Sequence, residues 1–222
     1  MTPPRFWLAS SSPRRREMLA WTGIEFKIQP ADIDESIKVN ERPLGYVQRL
    51  AREKTLGIIN RVNADDFVLA ADTIVIHLGK ILGKPTSPKN AVNMLQDLRG
   101  QKHRVITAFM VSRASIHKII ADRCITSICM RNYSKQEILN YVDSGDPLDK
   151  AGGYAIQNPQ FNPVVGFKGC FASVMGLPLC HLERALRQFP EYEPRNMAEI
   201  CQNNLEYTCP IHRLVLAGED IG

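Results

Sequence analysis

Apolar residues along the chain fall into short uninterrupted blocks and longer blocks with helical spacing, a pattern that predicts strands and helices in alternation. The longest uninterrupted block, residues 67–76, contains only two polar residues, Asp72 and Thr73. A run of this length predicts a central strand that is buried on both faces. Further strands are predicted at residues 6–9, 24–28, 81–82, 103–112 and 118–130, with Gly79-Lys80 turning the chain after the central strand.

Helices are predicted from apolar spacing together with capping residues. Ser12 is a good N-cap and Pro13 suits the first helical position, so a helix is expected to begin there and to end at Gly23. Residues 43–62 predict a long helix, and Lys54 lies on its apolar face. Other helices are predicted over residues 87–100, over 134–145 with a Ser134–Glu137 capping box, and from about 179 to 189. A glycine-rich loop is predicted to enter a strand at Tyr154.

Composition restricts the protein to a few classes. The chain has 222 residues, is 44% hydrophobic and carries a net charge of +5, which describes an ordinary globular protein that suits an anionic small molecule. Its basic residues form no long run and do not alternate with aromatics, so no stable nucleic-acid partner is expected. No stretch approaches the roughly 20 apolar residues of a membrane span, and Phe6–Ala9 is too short for a signal-peptide core. We therefore expect a cytoplasmic protein without a membrane partner, whose six cysteines are mostly reduced.

The chain divides near residue 190. Residues 1–190 are patterned throughout, whereas Pro190 and Pro194 mark the start of a less patterned C-terminal extension of unknown role, residues 191–222. Two cysteines and a histidine in the extension make a weak case for zinc, because no fourth ligand is evident: Cys201, Cys209 and His212.

Residues 8–16 predict an anion-binding site. A strand here feeds a helix N-terminus through Ser10, Ser11 and Ser12, which places free N–H groups and a positive dipole end together. Arginines at 14–16 oppose that dipole, and a polyphosphate nearby would explain them. The alternative is a capped surface helix with solvated arginines.

Three charged residues raise the same question of function against structure. Asp72 within an apolar strand is costly unless it meets a metal, a cation or several N–H donors, although it could close a bulge or cap a loop. Lys54 on a core-facing stripe could point into a cleft or extend to solvent at the rim. Lys84, fixed between Gly83 and Pro85, could be an ordinary loop lysine.

Taken together, these segments resemble the Maf family of nucleoside triphosphate pyrophosphatases, once described as septum-formation proteins. The matching motifs span about residues 5–189 in family order and spacing: residues 8–15, 50–54, 71–73 with 83–85, 149–157 and 176–179. Each motif alone is weak, whereas five in order are specific.

The resemblance implies an α/β fold with a long curved mixed sheet, flanking helices and two lobes around a cleft, similar to the inosine triphosphate pyrophosphatase fold. It also implies a homodimer that uses Mg²⁺ or Mn²⁺ to hydrolyse a nucleoside triphosphate to the monophosphate and pyrophosphate. Asp72 corresponds to the catalytic acidic residue and Glu35 to the site glutamate, and the two would hold the metal. Lys54 and Lys84 match the lysines that face the phosphates, with Lys84 grouped among the catalytic residues.

The same resemblance points to the dTTP/UTP branch, whose members carry Arg, Thr and Gln where this chain has Arg14, Thr73 and Gln157. A glutamine amide both donates and accepts, as the edge of uracil or thymine requires. The chain departs from the branch after Gln157, where residues 158–163 intervene and 169–173 replace a Gly-Ser-Tyr turn.

In the resulting hypothesis, Ser10 and Ser12 hold the triphosphate, Arg14 and Arg15 help neutralise it, and Asp72 accepts a proton from the water that attacks the α-phosphate. Two alternatives stay open. One is a pyrophosphatase for other or modified nucleotides. The other is a non-catalytic nucleotide- or nucleic-acid-binding regulator of cell division.

Overall fold

The computed structural model describes residues 5–222, which form a mixed seven-stranded sheet flanked by helices. The strands are β1 (Phe6–Leu8), β2 (Phe26–Ile28), β3 (Phe67–His77), β4 (Lys80–Leu82), β5 (Lys102–Arg113), β6 (Lys118–Met130) and β7 (Val164–Lys168). The α-helices are α1 (Pro13–Trp21), α2 (Pro43–Ile59), α3 (Pro88–Leu98), α4 (Lys135–Asp143), α5 (Phe171–Met175), α6 (Leu179–Leu186), α7 (Met197–Leu205) and α8 (His212–Leu216). The expected α/β fold is confirmed.

The sheet runs in the order β2-β1-β3-β5-β6-β7, and β4 pairs with β3 outside this path. β1 is parallel to both of its neighbours, whereas every other pair is antiparallel. The predicted central strand is confirmed, because β3 lies inside the sheet and all of its residues except the half-buried Thr73 are buried. The predicted hairpin is confirmed by the pairing of β3 with β4.

β3 has a gap in its pairing at the centre of the sheet. Residues 67–69 pair with β1 and residues 75–77 pair with β4, on the edge opposite to β5. Residues 70–74 therefore have no neighbouring strand on this edge among residues 5–222. Asp72 and Thr73 lie in the middle of the gap, so a ligand can approach the centre of the sheet beside them.

The two faces of β3 are covered by different helices, because successive side chains of a strand point to opposite faces. One face, which includes Ile74, packs against Val47 of α2. The other face, which includes Val75, belongs to a larger core shared with α1, α3, α4 and α6. By this alternation Asp72 points toward α2 and Thr73 points away from it.

The helix starts follow the predicted caps. Ser12 and Ser87 cap α1 and α3 through their hydroxyls, and Ser134 forms the capping box with Glu137. Such caps satisfy backbone N–H groups that the first turn of a helix leaves without partners. The Ser12 cap fixes where α1 begins, next to the gap in β3.

The strand predicted at Tyr154 is wrong. Residues 146–153 form two short 3₁₀ turns, and the next strand begins only at Val164. The turn is held against the hairpin, where the Gly152 N–H donates to the Gly83 carbonyl at 3.0 Å. Gly152 has φ +72°, and a Cβ there would lie 2.9 Å from a Val75 methyl. The apolar character of Tyr154 and its neighbours thus reflects a buried turn rather than strand pairing.

The C-terminal segment, residues 191–222, packs against the rest of the protein through α7 and α8, neither of which its weak pattern predicted. The fully buried Glu183 of α6 accepts hydrogen bonds from the Tyr192 hydroxyl and from the Arg195 N–H. The Arg195 guanidinium also donates to the Thr22 carbonyl at the end of α1, at 3.1 Å. The division at residue 190 stays a prediction.

Two further properties concern the chain as a whole. The six cysteines are free thiols, five of them buried. Within residues 5–222, none of the helices combines the length and apolar character that crossing a membrane requires.

Candidate active site

The gap in β3 opens into a cleft of about 490 Å³. Segments that are distant in sequence meet there: the loop from β1 to α1, the loop before α2, the β3–β4 hairpin and the turn at residues 149–157. Every site residue predicted from the sequence lines it: Ser10, Ser12, Arg14, Arg15, Glu35, Lys54, Asp72, Thr73, Lys84 and Gln157. The fold therefore brings the separate motifs to one place.

One side of the cleft, here named the carboxylate wall, consists of Glu35, Lys54 and Asp72. The Lys54 ammonium nitrogen lies 2.6 Å from Asp72 Oδ1 and 2.7 Å from Glu35 Oε1. Lys54 is only 8% exposed and Asp72 only 9%, so this ion pair is largely removed from water. Lys54 therefore points into the cleft, as the functional interpretation of its position predicted, and the cost of burying Asp72 is offset by a cation.

The loop that carries Glu35 is held by two side chains of α2 that the sequence reasoning missed. The Tyr46 hydroxyl donates to the Glu35 carbonyl at 2.8 Å, and Arg49 NH2 donates to the Ser36 carbonyl at 2.9 Å. Arg49 NH1 makes a longer contact of 3.5 Å with the Asp34 carbonyl. Three consecutive carbonyls are thus bound from the helix that also supplies Lys54.

Arg49 is itself fixed by two carboxylates. It donates to both oxygens of Glu41, at 2.6 and 2.8 Å, and to Glu53 at 3.0 Å. These hydrogen bonds lower the pKa of Glu41 to about 2, so the pair stays ionised at neutral pH. Burial and the charges of Asp72 and Glu35 raise the pKa of Tyr46, which keeps its hydroxyl a donor.

The opposite side, here named the arginine wall, consists of Arg14, Arg15 and Thr73. Arg15 Nε donates to the Gly176 carbonyl at 2.9 Å, NH1 to Ser10 Oγ at 3.2 Å and NH2 to Thr73 Oγ1 at 2.9 Å. Burial lowers the pKa of Arg15, and the charge of Asp72 opposes that shift. An arginine stays protonated at any physiological pH, so the wall presents a buried positive charge.

Arg14 lies nearer to solvent on the same wall. Its Nε donates to the Met175 carbonyl at 3.3 Å, and its NH1 is 3.6 Å from Asp149 Oδ1. Because Gly176 and Met175 end the short helix α5, both arginines satisfy carbonyls that this helix leaves without partners. The motif at 176–179 therefore serves the site by anchoring α1.

Behind Thr73, a set of hydroxyls leads into the core. Thr73 Oγ1 is 2.8 Å from Thr107 Oγ1, and Thr107 donates to the Ser173 carbonyl at 2.6 Å. Thr107 and Ser173 are fully buried. Neither could be singled out from the sequence, because their contact joins β5 to α5 across the core.

Comparison with known proteins gives this geometry a context. The family profile described as Maf-like protein matches residues 5–189, which is most of the chain. The chain belongs to the Maf family. The family assignment suggested by the five motifs is thereby confirmed.

Three relatives illustrate the match, and each is named dTTP/UTP pyrophosphatase. The protein of Thermomicrobium roseum is 42% identical over 92% of this chain and 92% of its own length. The protein of Hahella chejuensis is 43% identical over 83% of this chain and 92% of its own length. The protein of Anaeromyxobacter dehalogenans is 44% identical over 83% of this chain and 94% of its own length. A match over 92% of the chain is longer than residues 1–190, so it includes part of the C-terminal segment.

A solved structure, that of the Staphylococcus aureus Ham1 protein, resembles this chain with a TM-score of 0.41 and 11% identity, over 58% of this chain and 72% of that one. The α/β fold of this Maf protein rests on its own sheet topology.

Two predicted residues of this Maf chain lie at the rim of the cleft. Lys84 and Gln157 are exposed, and neither side chain has a hydrogen-bond partner within residues 5–222. The turn that carries Gln157 is joined to the segment that carries Lys84 by the hydrogen bond from the Gly152 N–H to the Gly83 carbonyl. Both side chains therefore remain available to a ligand.

Lys150 differs from the other lysines of the cleft. Its ammonium group contacts the Asp146 carbonyl at 2.6 Å, Asp146 Oδ1 at 2.8 Å and Asp149 Oδ1 at 2.7 Å. An ammonium group has three hydrogens, so all of them are used within the turn. Lys150 shapes the turn and does not offer a donor to the cleft.

The loop at residues 158–163, where the chain departs from the dTTP/UTP branch, is held in place by the core. Phe161 is buried and stacks on Tyr141 with ring centroids 4.1 Å apart. Asn158 Oδ1 accepts the Phe161 N–H at 2.8 Å. The loop therefore supports the base of the turn that carries Gln157.

The donor set fits a divalent cation only in part. No group of three or more His, Cys, Asp or Glu side chains converges to hold a metal anywhere in residues 5–222. Asp72 and Glu35 do converge on one point, where Lys54 now supplies the positive charge. Mg²⁺ is often bound by one or two carboxylates together with substrate phosphates, and two carboxylates at the edge of a cleft suit that arrangement.

Proposed function

We propose that the protein hydrolyses nucleoside triphosphates, preferentially dTTP and UTP, to the monophosphate and pyrophosphate. One observation carries the proposal: a nucleotide-sized cleft has a buried cation, Arg15, on one wall and an aspartate paired with lysine on the other. A simple anion-binding protein gains nothing from burying Asp72, because a carboxylate repels an anion. The three relatives at 42–44% identity are named dTTP/UTP pyrophosphatase, which agrees with this function.

The triphosphate is placed by the arginine wall and the start of α1. Ser10 Oγ accepts hydrogen bonds from Arg15 NH1 and from the Ser12 N–H, each at 3.2 Å, which uses both of its lone pairs. Its hydroxyl hydrogen is left to donate to a phosphate oxygen. Arg14, Arg15 and Lys84 neutralise the charge, which is most of what phosphoryl-transfer chemistry asks of a protein.

Asp72 acts on the attacking water. A bond forms between the water oxygen and the α-phosphorus, and the bond from that phosphorus to the oxygen bridging to the β-phosphate breaks, so that pyrophosphate leaves. The water's proton passes to Asp72, whose second carboxylate oxygen has no hydrogen-bond partner in the described part of the chain. Lys54 orients Asp72 and faces the phosphates.

Asp72 and Glu35 would hold the divalent cation, Mg²⁺ or Mn²⁺, together with the phosphates. When bound, such a cation supplies charge neutralisation and makes water more acidic, which compensates for the weakness of an aspartate as a base near neutral pH. Glu35 is exposed on its loop and can therefore adjust when a ligand arrives.

Gln157 is proposed to read the base. Its amide offers one acceptor and two donors at the rim, which suits the N3–H donor and carbonyl acceptors of uracil and thymine. The exposed position leaves the amide free for this purpose.

The test is release of pyrophosphate from a panel of canonical and modified nucleoside triphosphates with Mg²⁺ or Mn²⁺. Release from dTTP and UTP is expected, with a loss of at least about a hundredfold in kcat for Asp72→Asn. Asp97→Asn, an exposed carboxylate on α3, is the matched control and should leave kcat unchanged.

The other outcomes separate the alternatives. Turnover of other nucleotides only would keep the mechanism and discard the base assignment. Tight binding without turnover would favour a regulatory protein, and a fully active Asp72→Asn enzyme would reject Asp72 as the base.

A homodimer in the cytoplasm is proposed from the family resemblance. Light scattering coupled to gel filtration measures the molar mass directly, and a mass of 25.0 kDa would reject the dimer.

A further inference from the structure

We propose that Thr73 and Thr107 are positioning residues that hold Arg15 toward the triphosphate, and that Thr73 does not read the base. The proposal deepens the function proposed above and rests on it. It follows from the direction of the hydrogen bonds behind the arginine wall.

The Ser173 carbonyl fixes that direction. A carbonyl oxygen carries no hydrogen, so its 2.6 Å approach to Thr107 Oγ1 requires the Thr107 hydroxyl hydrogen to lie between them. Thr107 has only this one hydroxyl hydrogen. In its 2.8 Å contact with Thr73 it must therefore accept, and the Thr73 hydroxyl must donate.

Arg15 contributes the first hydrogen bond of this series, at the cleft. A guanidinium can only donate, so Thr73 Oγ1 accepts from Arg15 NH2 at 2.9 Å. The hydrogen bonds run in one direction, from Arg15 through Thr73 and Thr107 to the Ser173 carbonyl. The Thr73 hydroxyl hydrogen is directed into the core, so Thr73 cannot donate to a base, and Arg15 already uses one of its two lone pairs.

Arg15 is consequently held at three points. Its other two anchors are Ser10 Oγ and the Gly176 carbonyl. Of its five N–H hydrogens, the remaining two have no acceptor within residues 5–222, and the guanidinium lines the cleft. These two hydrogens are what the arginine wall offers to a phosphate oxygen.

Gly176 makes this arrangement possible. It has φ +118°, which L side chains rarely adopt, and a Cβ there would lie 3.4 Å from Arg15 Nε and 3.5 Å from Thr73 Oγ1. The backbone can therefore turn its carbonyl toward Arg15 Nε. Losing Thr73 would remove one of three anchors, and losing Thr107 would leave that anchor without its own acceptor, so the effect should be a weakened phosphate contact and not a collapsed site.

The decisive probe is inorganic tripolyphosphate, which has the phosphate chain of the substrate but no base. Its affinity for the full-length protein is measured by titration calorimetry for the wild type, Thr107→Val and Thr107→Ser. Thr107→Val leaves the Thr73 hydroxyl without its acceptor and free to turn away from Arg15, so we expect about tenfold weaker binding for the valine variant. Serine restores the hydroxyl and should restore the affinity to within about twofold.

Ser112→Ala is the control for loss of a buried hydroxyl from the same strand. Ser112 is fully buried on β5, and its hydroxyl has no hydrogen-bond partner in the described chain. Its substitution should leave tripolyphosphate affinity unchanged.

Thr73→Val provides the second variant, because the half-buried Thr73 is more tolerant of change than Thr107. The expected result is a similar loss of tripolyphosphate affinity, a higher KM for dTTP and for dCTP by the same factor, and an unchanged kcat. A changed ratio of the two KM values with unaltered tripolyphosphate affinity would show that Thr73 reads the base and would overturn the proposal.

Different results would refute the positioning role of Thr73 and Thr107 and the proposed enzymatic function. A wild-type protein that does not bind tripolyphosphate overturns the positioning role outright. A wild-type protein that binds it but releases no pyrophosphate from any nucleotide refutes the enzymatic function, while the comparison of variants still decides the role of Thr73 and Thr107.

Discussion

The two walls of the cleft satisfy their polar groups in opposite ways. In the arginine wall, the hydrogen bonds of Arg15 and Thr73 run inward and end on a backbone carbonyl in the core. In the carboxylate wall, Lys54 and Asp72 satisfy each other at the surface of the cleft, with Glu35 on an exposed loop. The arginine wall is fixed in place without a ligand, whereas the carboxylate wall contains a charge arrangement that a ligand can exchange.

This difference assigns different tasks to the walls. A wall with fixed donors is suited to binding phosphate, because its groups need no rearrangement when charge arrives. A wall in which one lysine bridges two carboxylates is suited to the reacting water, because a cation and a proton can be accommodated there. Substitutions that affect one wall and not the other can test this division.

Removing the bridging ammonium group should have the largest effect. Lys54→Met leaves Asp72 buried without its cation, and we expect the free energy of unfolding to fall by about 3 kcal/mol in urea titrations without divalent cations. Because the two carboxylates would then lack a counter-charge, Mg²⁺ should stabilise this variant more than the wild type.

Lys89→Met, an exposed lysine on α3, is the control and should behave as the wild type does. Equal stability of Lys54→Met and wild type without metal would show that Asp72 does not need Lys54.

A substitution at the rim of the cleft should change nucleotide selectivity without disturbing the arginine wall or the carboxylate wall. Gln157→Glu removes the amide donors, so we expect kcat/KM for dTTP and UTP to fall about a hundredfold. The melting temperature should not change, because the Gln157 side chain is exposed and has no partner in residues 5–222. Gln160→Glu makes the same charge change three positions away in the same loop and should alter neither quantity. Unchanged preference in Gln157→Glu would remove Gln157 from base recognition.

Acid should destabilise the fold through His103, which is buried on β5 and hydrogen-bonded to the hydroxyl of Tyr154, a residue that lines the cleft. Burial, with a smaller contribution from His77, lowers the pKa of His103 from 6.5 to about 4. The unfolded chain therefore binds a proton at a higher pH than the folded one, and stability is lost as pH falls from about 6.5 toward 4.

At pH 5 this loss amounts to about 2 kcal/mol relative to pH 8. Urea titrations at the two pH values should show this loss in the wild type and a loss smaller by about 2 kcal/mol in His103→Gln. His117→Asn, at an exposed turn, should retain the full pH dependence. The same pH dependence in His103→Gln would place the responsible group elsewhere.

The smallest effect is expected from loosening the loop of the carboxylate wall. Arg49→Met removes the contacts to the carbonyls on either side of Glu35, so the Mg²⁺ concentration for half-maximal activity should rise about tenfold, equivalent to about 1.4 kcal/mol. kcat at saturating Mg²⁺ should largely recover. Arg52→Met, exposed on the same helix, should change neither value, and identical Mg²⁺ dependence in both variants would contradict the role of Arg49.

The sequence predicted the groups that touch the cleft better than the groups that hold them. Asp72 and Lys54 could be detected because a charge within an apolar pattern needs a partner. The Ser12 cap could be detected because its sequence signal is local. Arg49 and Thr107 gave no such signal, since an arginine on a helix and a threonine in a strand are ordinary until their tertiary partners are known. Tyr154 was misassigned because a buried turn and a buried strand carry the same apolar pattern.

The gap in β3 also bears on how the molecule avoids unwanted association. An unpaired strand edge is a template on which another chain can add. Here the open stretch, residues 70–74, is only five residues long and is bounded by β1 on one side and by β4 on the other. A foreign strand cannot lie along it without displacing one of them. The protein can therefore keep unpaired backbone at the centre of its sheet, open to small ligands and closed to aggregation.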